Sequence, residues 1–144
     1  MTIYPPITEL VPHELPMLAL DELLAWEPGY SRVRLIVSED SLFVEDNQID
    51  TVLAIEYMAQ AVAACLGMAS RVGGGGVRMG MVIACRKVNI TRSFLDVGEE
   101  LFIEANRVHG SDHSSSFRVE TRDAEGRIVA DATMMLIHGE SLPT

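Results

Sequence analysis

The stretch DTVLAIEYMAQAVAACLGMASR, residues 50–71, decides the fold of this chain. Asp50 and Thr51 offer a helix N-cap, and a helix of about 20 residues is predicted from there to Arg71. A helix that is apolar on nearly every side belongs inside a protein, so the remaining chain is expected to wrap around it. Its apolar residues are Val52, Leu53, Ile55, Met58, Ala59, Ala61, Val62, Ala63, Ala64, Cys65, Leu66 and Met68.

The segments on both sides of this helix have the patterns of β-strands. Upstream, residues 12–29 predict a short helical turn and a first strand that closes at Pro28-Gly29, and residues 30–38 alternate as a second strand. Residues 39–49 are acidic and predicted to be irregular. Downstream of the glycine tract, four strands in hairpin series are predicted at residues 78–89, 99–109, 114–123 and 127–138. The pattern predicts one α+β domain over residues 1–144, a curved antiparallel sheet around a central apolar helix.

Composition and charge exclude several classes of function. The formal net charge of −10 argues against nucleic acid, whose phosphates require a cationic surface. The apolar stretches are interrupted by Glu56, Gln60 or Arg71, so no membrane span is expected. The N-terminus lacks the basic and apolar regions of a secretory signal, and the expected location is the cytoplasm.

Neither a metal nor a cofactor is expected. The two cysteines, Cys65 and Cys85, fall in predicted apolar segments, which favours buried thiols over a disulfide or a metal pair. The sequence contains no CxxC spacing. The four glycines at 73–76 lack the GxGxxG pattern and the following helix of a dinucleotide site.

The basic residues are unevenly distributed. Residues 57–95 contain no Asp or Glu, yet they hold five of the eleven basic residues. The segment is interpreted either as ordinary surface charge or as a cationic face that attracts an acidic or phosphate-bearing partner. The five candidate docking residues are Arg71, Arg78, Arg86, Lys87 and Arg92.

Four motifs along the chain carry a family resemblance. PHELPMLALD at residues 12–21, the turn at 27–29, the helical segment IEYMAQ at 55–60, and Arg92 followed by VGE at 97–99 stand in a characteristic order. In this order the chain resembles the hotdog 3-hydroxyacyl-acyl carrier protein dehydratases of fatty acid synthesis, with IEYMAQ similar to their E-x-x-A-Q helix motif. The resemblance implies the hotdog fold and dehydration of a 3-hydroxyacyl thioester to a 2-enoyl thioester on an acyl carrier protein.

The catalytic histidine of that family is missing. Those enzymes place a His in a G-H-F-x-G segment fourteen residues before the helical acid, where this chain has Leu42, followed by Phe43. The family's Pro-Gly before the helix is replaced by residues 47–50. The pattern more closely resembles the divergent dehydratase-like branch found in aryl-polyene pigment gene clusters. Members of that branch also lack this His and keep a helical Glu-x-Met-Ala-Gln motif.

The resemblance implies a carboxylate and a histidine as the catalytic groups. Glu56 is the only acid on the apolar helix, and it is interpreted either as the catalytic acid or as a structural hydrogen-bonding group. His109 and His113 flank a predicted hairpin turn and His138 is expected beyond the last strand, which leaves His13 as the candidate base or as a capping group. Gln60 shares a helix face with Glu56 and is expected to orient the carboxylate or bind a substrate carbonyl. Phe43 is the other candidate substrate-binding residue.

Two alternatives to a dehydratase stay open. A hotdog acyl thioesterase hydrolyses a thioester with a helical carboxylate and water, and a non-catalytic subunit supports an active relative. An exposed strand at the edge of the sheet is a template for pairing, so a homo-oligomer or a hetero-oligomer with another hotdog protein is expected. The other expected partner is the acyl carrier protein.

Overall fold

The computed structural model describes residues 3–41, 43–75, 79–111 and 113–139. Over these residues the helix and the strands follow one another in nearly the order that the sequence predicted. The elements are β1 Glu22–Glu27, β2 Tyr30–Ile36, β3 Gln48–Asp50, α1 Ala54–Val72, β4 Met79–Ile90, β5 Phe94–Asp96, β6 Glu100–Gly110, β7 Ser114–Arg122 and β8 Ile128–Gly139, with 3-10 turns at Ile7–Glu9 and Thr51–Leu53.

The N-terminus of the central helix is capped as predicted. The Asp50 side chain accepts a hydrogen bond of 2.9 Å from the backbone N–H of Val52, which opens the 3-10 turn that continues into α1. At the other end, the N–H of Gly73 donates to the carbonyl of Ala69 at 3.1 Å. The predicted helix to Arg71 is confirmed, and it runs one residue further.

One antiparallel sheet packs against this helix. Its strand order is β1-β2-β6-β7-β8-β4, so β1 and β4 form the two edges. The helix contacts β1, β2, β6, β7 and β8 and lies across the concave face of the sheet. The predicted α+β architecture is confirmed, and it is the arrangement that the resemblance to the hotdog enzymes implied.

A small second sheet was not predicted. β3 and β5 pair through Ile49 and Leu95, both fully buried, in two segments for which the sequence predicted no strand. Strands of three residues are too short for an alternating pattern to emerge, and this pairing depends on contacts 46 residues apart in the chain.

The core lies between the sheet and one side of α1. On β2, Ser31, Val33 and Leu35 alternate inward and are buried. The helix is less enclosed than expected, because Ile55, Ala59, Ala63 and Leu66 form a stripe along α1 that the single chain buries only in part.

By length and composition alone, the helical segment Thr51–Val72 is long and apolar enough to cross a membrane. About half of it is buried inside the fold. The buried core helix of a globular protein meets the same criteria.

The N-terminal segment crosses the helix at Gly67. A methyl group at this position would overlap the carbonyl oxygen of Leu10, which is buried against the helix. A glycine in a helix interior normally costs stability, and here it permits the close approach of a second backbone.

Candidate active site

A cavity of about 750 Å³ opens beside the first turn of the central helix. The helix contributes Glu56 and Tyr57 to its wall, and the preceding 3-10 turn contributes Leu53. The other walls come from Ile7 and Thr8, from residues 15–21, which cross the helix as a strap, and from residues 35–38, 40, 41 and 43, at and after the end of β2. Most of the lining is apolar, so the cavity is suited to an apolar chain with a few polar groups that orient it.

Glu56 and His13, the two residues predicted to be catalytic, lie together in this region. Nε2 of His13 is 3.6 Å from Oε1 of Glu56, and their side chains are 26% and 38% exposed. Nδ1 of His13 is buried and has no hydrogen-bond partner among the described residues. The structure thus brings a carboxylate and an imidazole together from segments 43 residues apart, while their catalytic roles stay predictions.

Gln60 holds the carboxylate in place. Its Nε2 donates to Oε1 of Glu56 at 3.0 Å and to the carbonyl of Met17 at 2.8 Å, and its Oε1 accepts from the N–H of Ala19 at 2.9 Å. The side chain is fully buried and does not line the cavity. Of the two roles predicted for Gln60, this placement favours orienting the carboxylate over contact with a substrate carbonyl.

The loop in place of the family's histidine motif also borders the cavity. Phe43 lines it with 56% of its surface exposed, which is compatible with the predicted role in substrate binding. Leu42 lies outside the described residues. Ser41 is in the same wall, and its side chain hydrogen-bonds the hydroxyl of Tyr57.

Sequence reasoning missed this Ser41–Tyr57 pair. In the sequence, Tyr57 stands among the apolar residues of the helix, where an aromatic residue is usually part of the core. Burial raises the pKa of Tyr57, Ser41 opposes the shift through its hydrogen bond, and the nearby charge of Glu56 adds to it. The hydroxyl therefore stays protonated at neutral pH.

The remaining histidines are structural or solvated. His109 and His113 are exposed, as expected. The expectation for His138 was wrong, because it lies within β8, is buried, and its Nε2 is 2.8 Å from the hydroxyl oxygen of Ser115. Strand β8 ends at Gly139, one residue beyond the predicted range, and residues 136–139 pair with β4.

The five basic residues do not share one environment. Arg71, near the end of α1, pairs with Glu9 at 3.2 Å, and Arg92 pairs with Glu99. Arg86 and Lys87 are exposed on β4, where a bulge places Lys87 at φ 51°. Arg78 lies outside the described residues.

The described residues contain no group of three or more metal-ligating side chains. Cys65 is buried as predicted, and burial raises the pKa of its thiol to about 12. Cys85 is only half-buried, because its strand lies at the edge of the sheet.

A known family matches this chain over nearly its whole length. Residues 5–142 match the model of the ApeP-like family, described as ApeP dehydratase. No curated protein sequence matches at a significant level.

Solved structures show the same fold. The dehydratase heterocomplex ApeI:P from Xenorhabdus doucetiae aligns with a TM-score of 0.88 and 23% identity over 94% of this chain and 92% of that chain. A hypothetical thioesterase protein with coenzyme A from Streptococcus pneumoniae TIGR4 aligns with a TM-score of 0.65 and 17% identity, over 82% of this chain and 84% of that chain. The smu.793 protein from Streptococcus mutans UA159, bound to acetyl CoA, aligns with a TM-score of 0.63 and 18% identity, over 82% and 87%.

Proposed function

Because this chain belongs to the ApeP-like dehydratase family, we propose that it dehydrates a 3-hydroxyacyl thioester to the 2-enoyl thioester, with the acyl chain attached to an acyl carrier protein. The observation that carries the proposal is that Glu56 lines a largely apolar cavity and that Nε2 of His13 lies 3.6 Å from its carboxylate. A carboxylic acid and an imidazole are the groups that an elimination of water requires.

In the proposed reaction His13 is the base and Glu56 the acid. Nε2 of His13 takes the proton from the carbon next to the thioester, and its electron pair forms the new double bond. The bond from the neighbouring carbon to its hydroxyl oxygen breaks, and protonated Glu56 gives its proton to this leaving group, which departs as water. Transfer of the proton from His13 to Glu56 across the short gap between them restores the starting state.

A second hotdog subunit is the proposed partner. The match to a structure described as the dehydratase heterocomplex ApeI:P supports it, and so do two surfaces of this chain. One is the edge of β4, where Met81, Val82 and Ile83 are exposed, and the other is the partly buried stripe on α1. Pairing along β4 satisfies an open edge and covers apolar surface at the same time.

The exposed edge of β4 provides the test of this assembly. Ile83 is 55% exposed, so Ile83→Lys places a charge in the pairing edge and is expected to convert the oligomer to a 15.8 kDa monomer in light scattering. Val108→Lys, at a position 61% exposed on the interior strand β6, is the matched control and keeps the oligomer. A wild-type chain that stays monomeric at micromolar concentration, with or without a second hotdog protein, contradicts the assembly.

A supporting role without chemistry of its own is the second candidate function. The absence of the family's His and the match to a heterocomplex favour it. In that case the Glu56 site is a remnant, and the active site belongs to the second subunit. Thioester hydrolysis is a third reading, favoured by the similarity to a protein described as a hypothetical thioesterase.

One assay separates these functions. The purified chain is incubated with a 3-hydroxyacyl carrier protein, alone and with a second hotdog dehydratase, while ultraviolet absorbance follows the conjugated enoyl thioester and a thiol reagent follows free thiol. Enoyl product from the chain alone supports the proposal. Free thiol without enoyl product indicates a thioesterase, and product only with the second subunit, unchanged by substitution of Glu56, indicates the supporting role.

A further inference from the structure

We propose that the hydroxyl of Tyr57, held by Ser41, is a catalytic hydrogen-bond donor to the thioester carbonyl oxygen of the substrate. This inference rests on the proposed dehydration and adds a residue to it. Both side chains line the same cavity as Glu56, and Tyr57 directly follows Glu56 on α1.

The proposed step requires a hydrogen-bond donor, and Tyr57 is the hydroxyl-bearing residue of the lining that directly follows Glu56. Removing the proton next to a thioester places negative charge on the carbonyl oxygen, and this charge is stabilised by a donor already in position. The carboxylates in the wall only accept hydrogen bonds when ionised, and Asp21 already accepts from the N–H of Ile36 at 2.6 Å. A hydroxyl is the kind of group that the step requires.

The geometry leaves the phenolic proton available. Tyr57 is 7% exposed, and Ser41 is the hydrogen-bond partner of its hydroxyl. When Ser41 donates to the phenolic oxygen, the proton of Tyr57 is free for a substrate oxygen. Because burial also raises the pKa of Tyr57, this proton stays on the oxygen throughout the reaction.

The position of Ser41 explains how this chain differs from the enzymes it resembles. Ser41 immediately precedes Leu42, the residue that stands where those enzymes have their histidine. In this chain the same loop supplies a hydroxyl that orients a tyrosine from the helix. The site thereby regains a polar group on the side of the cavity where the motif lost one.

The test combines turnover with ligand binding. Tyr57→Phe is expected to lower kcat for enoyl thioester formation about 100-fold with KM nearly unchanged, and Ser41→Ala to give a smaller loss. Tyr30→Phe is the matched control, because Tyr30 donates its hydroxyl to Glu104 at 3.1 Å on the outer face of the sheet. Wild-type kcat in Tyr57→Phe, with the enzyme active, overturns the proposal.

Binding tests the same contact without relying on turnover. Two unreactive acyl pantetheine analogues are titrated by calorimetry: a ketone in place of the thioester, and its counterpart with a methylene in place of the carbonyl. The wild-type chain is expected to prefer the ketone about tenfold, and Tyr57→Phe to lose this preference. If the wild type and Tyr57→Phe prefer the ketone equally, or if neither analogue binds, the proposal is overturned. If the preference for the ketone requires Tyr57 but the chain shows no turnover, the proposed dehydration is contradicted and the contact between Tyr57 and the carbonyl is retained.

Discussion

At the scale of single residues, the site depends on a contact between two residues that lie far apart in the sequence. Glu56 was identifiable as the one acid in an apolar helix, and His13 by elimination among four histidines. That they meet at 3.6 Å was not predictable, because it depends on how the strap crosses the helix. Two hydrogen bonds of Gln60, with Met17 and Ala19, hold that strap, and no local pattern specifies them.

Glu56→Gln tests the residue-scale argument. The variant is expected to lose at least about 100-fold in enoyl thioester formation, because an amide does not supply the acidic proton. Its amide oxygen still accepts from Gln60, so the thermal midpoint should not fall. Glu9→Gln, which removes the surface partner of Arg71, is the control and retains activity.

If Glu56 and His13 act as one unit, the variant that combines Glu56→Gln with His13→Gln should lose little more activity than the worse single variant. Additive losses would show that the two residues act independently. Unchanged kcat in Glu56→Gln would eliminate it as the acid.

At the scale of the elements, long periodic segments were predictable and short ones were not. The helix and the four C-terminal strands carry clear periodicity and were placed to within a few residues. The β3–β5 pair and the bulges of β4 depend on tertiary contacts and have no periodic signal. Gly67 belongs to the same class, because in sequence it is only a weak point in a helix.

Gly67→Ala separates packing from helix propensity. In an exposed helix this change stabilises by about 1 kcal/mol, but here the methyl group meets the backbone of Leu10. The free energy of unfolding is expected to fall by about 1 to 3 kcal/mol in denaturant titrations. Gly73→Ala is the control, since a methyl there lies 3.5 Å from the carbonyl oxygen of Ser70. Equal stability of the two variants would contradict the close crossing.

A polar contact that joins three strands makes the stability of the fold depend on pH. Asp131 on β8 accepts from Asn89 on β4 at 3.0 Å and pairs with Arg118 on β7. Burial opposes ionisation, but the hydrogen bonds from Asn89 and Arg118 outweigh it, so the pKa of Asp131 lies below its ordinary value. The stabilisation is complete above the unfolded-state pKa of about 3.9 and is lost as pH falls through the lower folded-state pKa.

Asp131→Asn removes this ionisation. The variant is expected to be less stable at neutral pH by about 1.5 to 3 kcal/mol, the range for hydrogen bonds to a charged group. Its unfolding free energy should then fall less steeply than that of the wild type as pH drops below about 4, the unfolded-state pKa, toward the lower folded-state pKa. Parallel stability curves for the variant and the wild type would contradict this role.

At the scale of the whole molecule, the single chain leaves surface that an assembly would cover. The stripe on α1 explains why the helix appears apolar all round in sequence while the chain encloses only part of it. On β4, the exposed apolar residues Met81, Val82 and Ile83 lie before the bulge that holds the basic residues, and the exposed Val88 and Ile90 follow those basic residues. The edge strand β4 therefore has an apolar segment that can pair with another subunit and, next to it, two exposed basic residues on a molecule with a net charge of −10.

The docking of an acidic carrier protein follows from this division. Arg71 and Arg92 are compensated by Glu9 and Glu99, whereas Arg86 and Lys87 are exposed and pair with no carboxylate among the described residues. Repulsion between two acidic proteins is overcome only by local attraction within a Debye length of about 8 to 10 Å. The bulge at Lys87 also breaks the strand alternation that would place these two neighbouring side chains on opposite faces.

Charge reversal of Arg86 and Lys87 to Glu is accordingly expected to slow association with a carrier protein and to flatten its dependence on salt, as followed by stopped-flow fluorescence over a series of ionic strengths. Arg71→Glu is the matched control, because its charge is already paired, and it should leave the salt dependence nearly unchanged. Turnover of a small thioester that lacks the carrier protein should be the same in all of these variants, since none of the substituted residues lines the cavity. If the Arg86 and Lys87 variants associate as fast as the wild type at every ionic strength, the exposed charges on β4 are only solvated surface and the carrier protein docks elsewhere.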